Sequence, residues 1–280
     1  KEFLTKLKKI EKDGFYNFFY LQRFGVPRLN NHECGRLILQ GKYEESLFTA
    51  FCKPGLRELP YFQQLRKSIA QLWGNWEEIS DILDVFPITF QDERKIIDYL
   101  ITRPKDFIGA LNQIPRVVEL WCKSFTALLF NQKISSYLRQ DQKPPALLPF
   151  FGARKKTWAL YKDALGEYDF FSLPFLEKNL SALPFLRLQE KEIETMEKAD
   201  ILDCKIIPEG VILSFNLPKR CYATTFLSHL FNLVSGVLPE KMSNLSIDTK
   251  ANIKKPSMED ILNQFQDVVY LPGWKYSWRI

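Results

Sequence analysis

The sequence holds only two histidines, His32 and His229, and it has neither a G-x-x-x-x-G-K-S/T phosphate loop nor a G-x-G-x-x-G turn. Catalysis through histidine networks therefore has little material, and the common nucleotide-binding loops are excluded. Five cysteines stand at 34, 52, 122, 204 and 221. Their number is odd and no C-x-x-C pair occurs, which argues against a disulfide framework or a zinc ribbon and for a reducing, cytoplasmic setting. No window approaches 18 uninterrupted apolar residues, so no membrane span is expected. The opening KEFLTKLKKI lacks the apolar centre of a secretory signal. His32-Glu33-Cys34 resembles a metal corner, but the zinc deaminase pattern needs H-x-E with P-C-x-x-C. Neither is here, so His32 is read as a capping or surface residue and no metal is expected.

What the chain has in plenty is aromatic. Phe, Tyr and Trp make up 14% of it, with 23 Phe, and much of this must be core. A length of 280 residues allows one large domain or two ordinary ones. A net charge of +6 suits a polyanionic partner without requiring one.

Helical spacing dominates the first two thirds. Residues 2–12 place Phe3, Leu4, Leu7 and Ile10 on one face, and Asp13-Gly14 ends that helix. Pro27 and Asn30-Asn31 introduce a helix through about Gln40, and another follows over 43–52. Further helices are expected over 58–72, 76–84, 91–102, 105–113 and 116–138, with Pro87, Pro104 and Pro115 at boundaries. The last carries Val117, Val118, Leu120, Trp121, Phe125, Leu128 and Leu129 and reads as a central core helix. Residues 140–156 read as a loop, and EKEIETMEKA (190–199) as a helix. Leu-Pro-Phe recurs at 148–150, 173–175 and 183–185, read as turns anchored by a buried Phe.

The pattern then changes. ILDCKIIPEGVILSF (201–215) reads as a β-hairpin turned at Pro208-Glu209-Gly210, and ATTFLSHLFNLVSG as a helix capped at Gly236. Residues 237–280 read as a polar tail with one helix, 257–265, closing on LPGWKYSWRI. A hairpin with one helix is too small to be a domain and needs partner strands. The chain, opening on Lys, is therefore expected to be a fragment.

Two stretches carry chemistry. In FYNFFYLQRFG (15–25), six aromatic residues alternate with Asn17, Gln22 and Arg23. Aromatic rings stack on bases, and Asn, Gln and Arg bond base edges. A buried aromatic segment with satisfied polar groups fits equally well. In LPKRCYATTFLSHL (217–230), Lys219, Arg220 and Tyr222 lie between a strand and a helix. Helix N-termini bind anions, and an aromatic there can stack on a base. A plain strand–helix junction with solvated cations fits the composition too.

Together these stretches are more specific. NFFYLQRFG (17–25) resembles the N-Y-F-G-x-Q-R-F-G signature of the TruD family of RNA pseudouridine synthases, and FNLPKRCYAT (215–224) resembles its later F-x-L-P-x-G-S/C-Y/F-A-T signature. HECGRLILQGKYEESL is similar to the helix after the first signature. PKDFIGALNQIP with KSFTALLFNQKISSYL is similar to the family's central A-x-x-S-x-L-F-N-x-x-x-x-x-R helix. The likeness runs in order from about residue 2 to 236.

The resemblance implies an α+β fold in which a large, mostly helical domain is inserted into a pseudouridine-synthase catalytic domain. Residues 1–27 would be the exit from the catalytic domain, 28–197 the insertion, 198–236 the returning strands and helix, and 237–280 an extension. It implies that a uridine in tRNA or another structured RNA is flipped out and isomerised, C5 replacing N1 on C1′, by one aspartate with no metal or organic cofactor. Tyr222 matches the aromatic that stacks on the target nucleotide, with Lys219 and Arg220 beside it. Asn17, Gln22, Arg23 and Phe24 match the first signature, whose expected task is shaping the floor between the domains. The family's G-x-K-D catalytic and G-N-x-F motifs lie upstream of the first signature and do not occur here, so no catalytic residue is assigned and the chain alone is expected to be inactive. Three departures stand out. Tyr20 replaces a glycine, Arg220 replaces the usual glycine before Cys221-Tyr222, and Ser228-His229 replace the usual Arg-Glu. Two other readings remain: a non-catalytic RNA-binding relative, and a helical protein-interaction module.

Overall fold

The computed structural model describes residues 2–55, 58–86, 88–208 and 210–233. The expected Gly236 cap, the 257–265 helix and the extension lie outside them. The chain folds as two compact units, one of residues 2–16 with 196–233, the other of 17–195. The fold is α+β, with a helical unit inserted in sequence between the two parts of a smaller mixed unit.

The mixed unit opens with α1 (Glu2–Asp13), whose Leu7 and Ile10 are buried while Leu4, expected on that face, is exposed. Strand β1 (Phe15–Tyr16) follows directly.

The helical unit runs from a 3-10 turn at Leu21–Phe24 into α2 (Asn31–Leu39), α3 (Tyr43–Cys52), α4 (Pro60–Gln71), α5 (Trp76–Asp84), α6 (Gln91–Thr102), α7 (Phe107–Asn112) and α8 (Pro115–Arg139). Local chemistry sets several starts. Pro60 and Pro115 begin helices where no N–H is needed. The Asn75 and Asp106 side chains accept the backbone N–H of Glu78 and Gly109. Helix α8 is buried around most of its circumference, as a central helix requires. Against it lies α2, so close that a Cβ on Gly35 would sit 2.1 Å from the Trp121 carbonyl oxygen.

Beyond α8 the structure departs from the sequence reading. The expected loop 140–156 contains β2 (Leu147–Pro149), followed by two helices the pattern did not reveal, α9 (Lys155–Gly166) and α10 (Leu173–Ser181). The expected helix 190–199 is extended instead, forming β3 (Glu192–Glu194), paired antiparallel with β2, and β4 (Met196–Glu197). Ile193 and Thr195 point inward while Glu192 and Glu194 face water, and the Thr195 hydroxyl donates to Pro145. This alternation of period two outweighs the helix propensity of the glutamates. The three Leu-Pro-Phe triplets are a strand, the first turn of α10 and a turn. Leu148 and Leu183 anchor two of them, whereas Phe175 is 49% exposed.

Back in the mixed unit, β4 pairs antiparallel with β1, Tyr16 opposite Met196. The hairpin is present as β5 (Asp200–Ile207) and β6 (Gly210–Asn216), with an irregularity in register between Ile201 and Asp203. Helix α11 (Ala223–Leu230) stops six residues before the expected cap, because Phe231 is extended and stacks on Phe3 at 5.2 Å. Leu7, Ile10, Phe15, Ala199, Phe226 and Leu230 form the small core of this unit. No helix among the described residues is long and apolar enough to cross a membrane.

Candidate functional site

The chain enters the helical unit at Asn17, which is 4% exposed. Its backbone N–H donates to Thr195 at 3.0 Å and its side-chain amide to the Glu194 carbonyl at 3.1 Å. Both bonds join the outgoing segment to the returning one, so Asn17 acts within the protein as a clasp.

Two residues later α8 takes hold. The Asn131 side chain accepts the Phe19 N–H at 2.9 Å and donates to the Phe19 carbonyl at 2.8 Å. Seven residues earlier, two turns along the same face, the Ser124 hydroxyl lies 2.6 Å from the Arg23 carbonyl. The Phe19 ring packs edge-on to Phe130 at 5.5 Å and against Phe150 at the same distance. The Arg23 guanidinium stands 5.4 Å from the Phe19 ring centre, near enough for cation–π attraction. Its Nε is buried and makes no hydrogen bond. Gln22 is exposed.

Phe24 meets His32 edge-on at 5.6 Å. His32 is therefore neither a cap nor a bare surface residue, and burial holds its imidazole below its ordinary pKa. Gly25 ends the segment at φ +85, where a Cβ would lie 2.5 Å from the Asn31 side chain. By contrast Tyr20, at φ −95 and ψ 179, is ordinary extended backbone, so its departure from glycine carries no strain.

The later stretch belongs to the mixed unit. Pro218 to Cys221 form a turn closed by the Cys221 N–H on the Pro218 carbonyl at 3.3 Å. Arg220 sits in its third position at φ +77, the left-handed region that such turns reserve for glycine. Lys219 and Arg220 are both exposed. Tyr222 follows as the half-buried N-cap of α11. Phe226, fully buried against Phe15 and Phe215, fixes that helix one turn on.

The seven expected site residues thus fall into two groups. Asn17, Gln22, Arg23 and Phe24 occupy one pinned segment of the helical unit, and Lys219, Arg220 and Tyr222 one turn of the mixed unit. Sequence reasoning assigned no role to Ser124 and Asn131. Their signal was two polar residues seven apart, in line with the apolar stripe of the central helix. The thiols of Cys34, Cys52 and Cys221 are pushed up to about 12, mainly by burial, so they are protonated at neutral pH and poorly suited to nucleophilic work. Among the described residues no three His, Cys, Asp or Glu side chains gather as a metal site would require.

Comparison with known proteins gives a consistent result. A family profile described as tRNA pseudouridine synthase D (TruD) matches residues 1–145. A protein named "Probable tRNA pseudouridine synthase D" from Thermoplasma volcanium is 26% identical, covering 84% of this chain and 66% of its own. One of the same name from Methanopyrus kandleri is 25% identical over 79% of this chain and 58% of its own. A crystal structure from Methanosarcina mazei bearing the TruD name superposes with a TM-score of 0.65 at 18% identity, over 82% of this chain and 64% of that one. The chain therefore spans less than two thirds of the length of each of these relatives.

Proposed function

Since the chain belongs to the TruD family, we propose that it is part of an RNA pseudouridine synthase that isomerises a uridine in tRNA or another structured RNA. In this reading the mixed unit is a portion of the catalytic domain and residues 17–195 are its helical insertion. Lys219 and Arg220 meet RNA phosphates, and Tyr222 stacks on the extruded base. Gln22 and Arg23 contact RNA from the helical unit, while Asn17 and Phe24 hold their segment in shape.

The observation that carries the reading is the Lys219–Arg220 turn. A left-handed non-glycine residue costs on the order of 1 kcal/mol or more and persists where the surroundings enforce it, often at binding sites. Here it holds two exposed cations directly ahead of an aromatic N-cap.

The test is binding of a labelled tRNA transcript to the chain, followed by fluorescence anisotropy over a salt series. Binding should weaken steeply with salt, and Lys219→Ala with Arg220→Ala should lower the slope of log K against log salt by about two. Absence of binding at low salt would overturn the reading. Because no G-x-K-D motif occurs in the sequence, the chain by itself should release no tritium from 5-³H-uridine RNA. Release would place a catalytic aspartate within these 280 residues.

A further inference from the structure

A second candidate site lies in the mixed unit, at the other end of α11 from Tyr222. Lys6 and Lys9 stand three residues apart on α1, on neighbouring positions of the helix surface, and both are exposed. They border a cavity of about 420 Å³ that also takes in Asp13, Tyr16, Met196 and His229, with Ile10 and Phe15 buried behind. That volume is in the range of small-ligand sites.

The walls are suited to a flat ring. His229 lies edge-on to Phe15 at 5.8 Å and tilted to Tyr16 at 6.5 Å, and the Met196 thioether adds a polarisable surface. His229 Nδ1 is 2.8 Å from the Thr225 carbonyl. A carbonyl only accepts, so Nδ1 carries the hydrogen, and in the neutral ring Nε2 is left as an acceptor.

Charge points the same way. Two lysines against one aspartate leave a net positive charge at the rim. An apolar ligand would make no use of the lysines, and a bare anion none of the rings. A nucleotide uses both.

We propose that this cavity binds a nucleotide, with its base against Tyr16 and His229 and its phosphate on Lys6 and Lys9. The proposal rests on the RNA-binding reading and extends it to a second position. His229 is seven residues from Tyr222, about 10 Å along α11, so the bound nucleotide is not the one stacked on Tyr222. His229 then becomes a determinant of which RNA sequence is accepted beside the target.

The test uses the full chain and three probes: a fluorescein-labelled single-stranded oligoribonucleotide, uridine and adenosine monophosphates by calorimetry, and inorganic phosphate as a control. His229→Glu and the pair Lys6→Ala with Lys9→Ala should each weaken oligoribonucleotide binding by about fivefold or more, the loss expected for one stacked base. Circular dichroism should show that both variants keep their fold. Equal losses with the free monophosphates identify a pocket open to free nucleotides. Losses confined to the oligoribonucleotide identify one filled by a strand. If the native chain binds RNA and monophosphates as well as both variants do, the proposal fails while the RNA reading stands. If it binds the monophosphates in a His229-dependent way but no RNA, the pocket stands and the RNA reading falls. Phosphate binding as tight as that of the monophosphates, or no binding of any probe, would also end the proposal.

Discussion

Asn131 holds Phe19 by both of its backbone groups, accepting from the N–H at 2.9 Å and donating to the carbonyl at 2.8 Å across 112 residues of sequence. A carboxamide is the only uncharged side-chain group that presents a donor and an acceptor side by side, matching the two groups of a peptide in extended conformation. The aromatic signature thus owes its conformation to a residue on the central helix as much as to its own rings.

Asn131→Leu conserves size but removes both of these hydrogen bonds in a partly buried place. It should destabilise the chain by about 2 to 4 kcal/mol, and Asn131→Asp, whose second carboxylate oxygen would face the Phe19 carbonyl as acceptor against acceptor, by at least as much. Urea denaturation midpoints decide it; a Leu variant as stable as the parent would mean that water reaches the segment freely.

Gly35→Ala should be among the most damaging small substitutions. Its Cβ would lie 2.1 Å from the Trp121 carbonyl oxygen and 2.7 Å from the Cys122 nitrogen, both backbone atoms in the middle of α8. Separating two packed helices should cost about 3 kcal/mol or more. A melting temperature equal to that of the parent would show that α2 slides without penalty.

Arg220→Gly should act in opposite directions on two measurements. Relief of the left-handed backbone at φ +77 should raise stability by about 1 kcal/mol. Loss of the cation should weaken RNA binding and lower its salt slope by about one. Reduced stability would mean that the arginine side chain contributes packing that outweighs the strain.

His32 should make stability depend on pH. Burial lowers its folded pKa below the ordinary 6.5, so the unfolded chain takes up the proton first as pH falls. This contribution is complete well above pH 6.5, is lost as pH falls through 6.5, and levels off below the folded pKa. His32→Phe, which keeps a ring against Phe24, should flatten the stability profile in that window. An unchanged slope would assign the dependence to other groups.

Strong local punctuation made much of the helical unit legible in sequence. Trp76–Asp84 and Gln91–Thr102 have the bounds that the spacing predicted, and Asn75 caps the first of them. The strands at 147–149 and 192–194 were hidden because each is too short to show its alternation, and each is stabilised by the other, some 45 residues away. Tyr20 and Arg220 looked alike as replacements of glycine. Only backbone angles separate them, one extended and the other left-handed. Asn131 was visible as part of a motif, but its partner Phe19 lies on another element, and no periodicity reports such a pairing.

The clasp at Asn17 has a bearing on how such a chain can change. It ties the first residue of the helical unit to Glu194 and Thr195 at its last, so the 179 residues between and including those ends close on themselves. β1 and β4, just outside, are likewise neighbours. Growth, loss or rearrangement of helices far from that neck leaves the two ends where they are. The helical unit is therefore free to vary in size and surface without redrawing the unit that carries Tyr222.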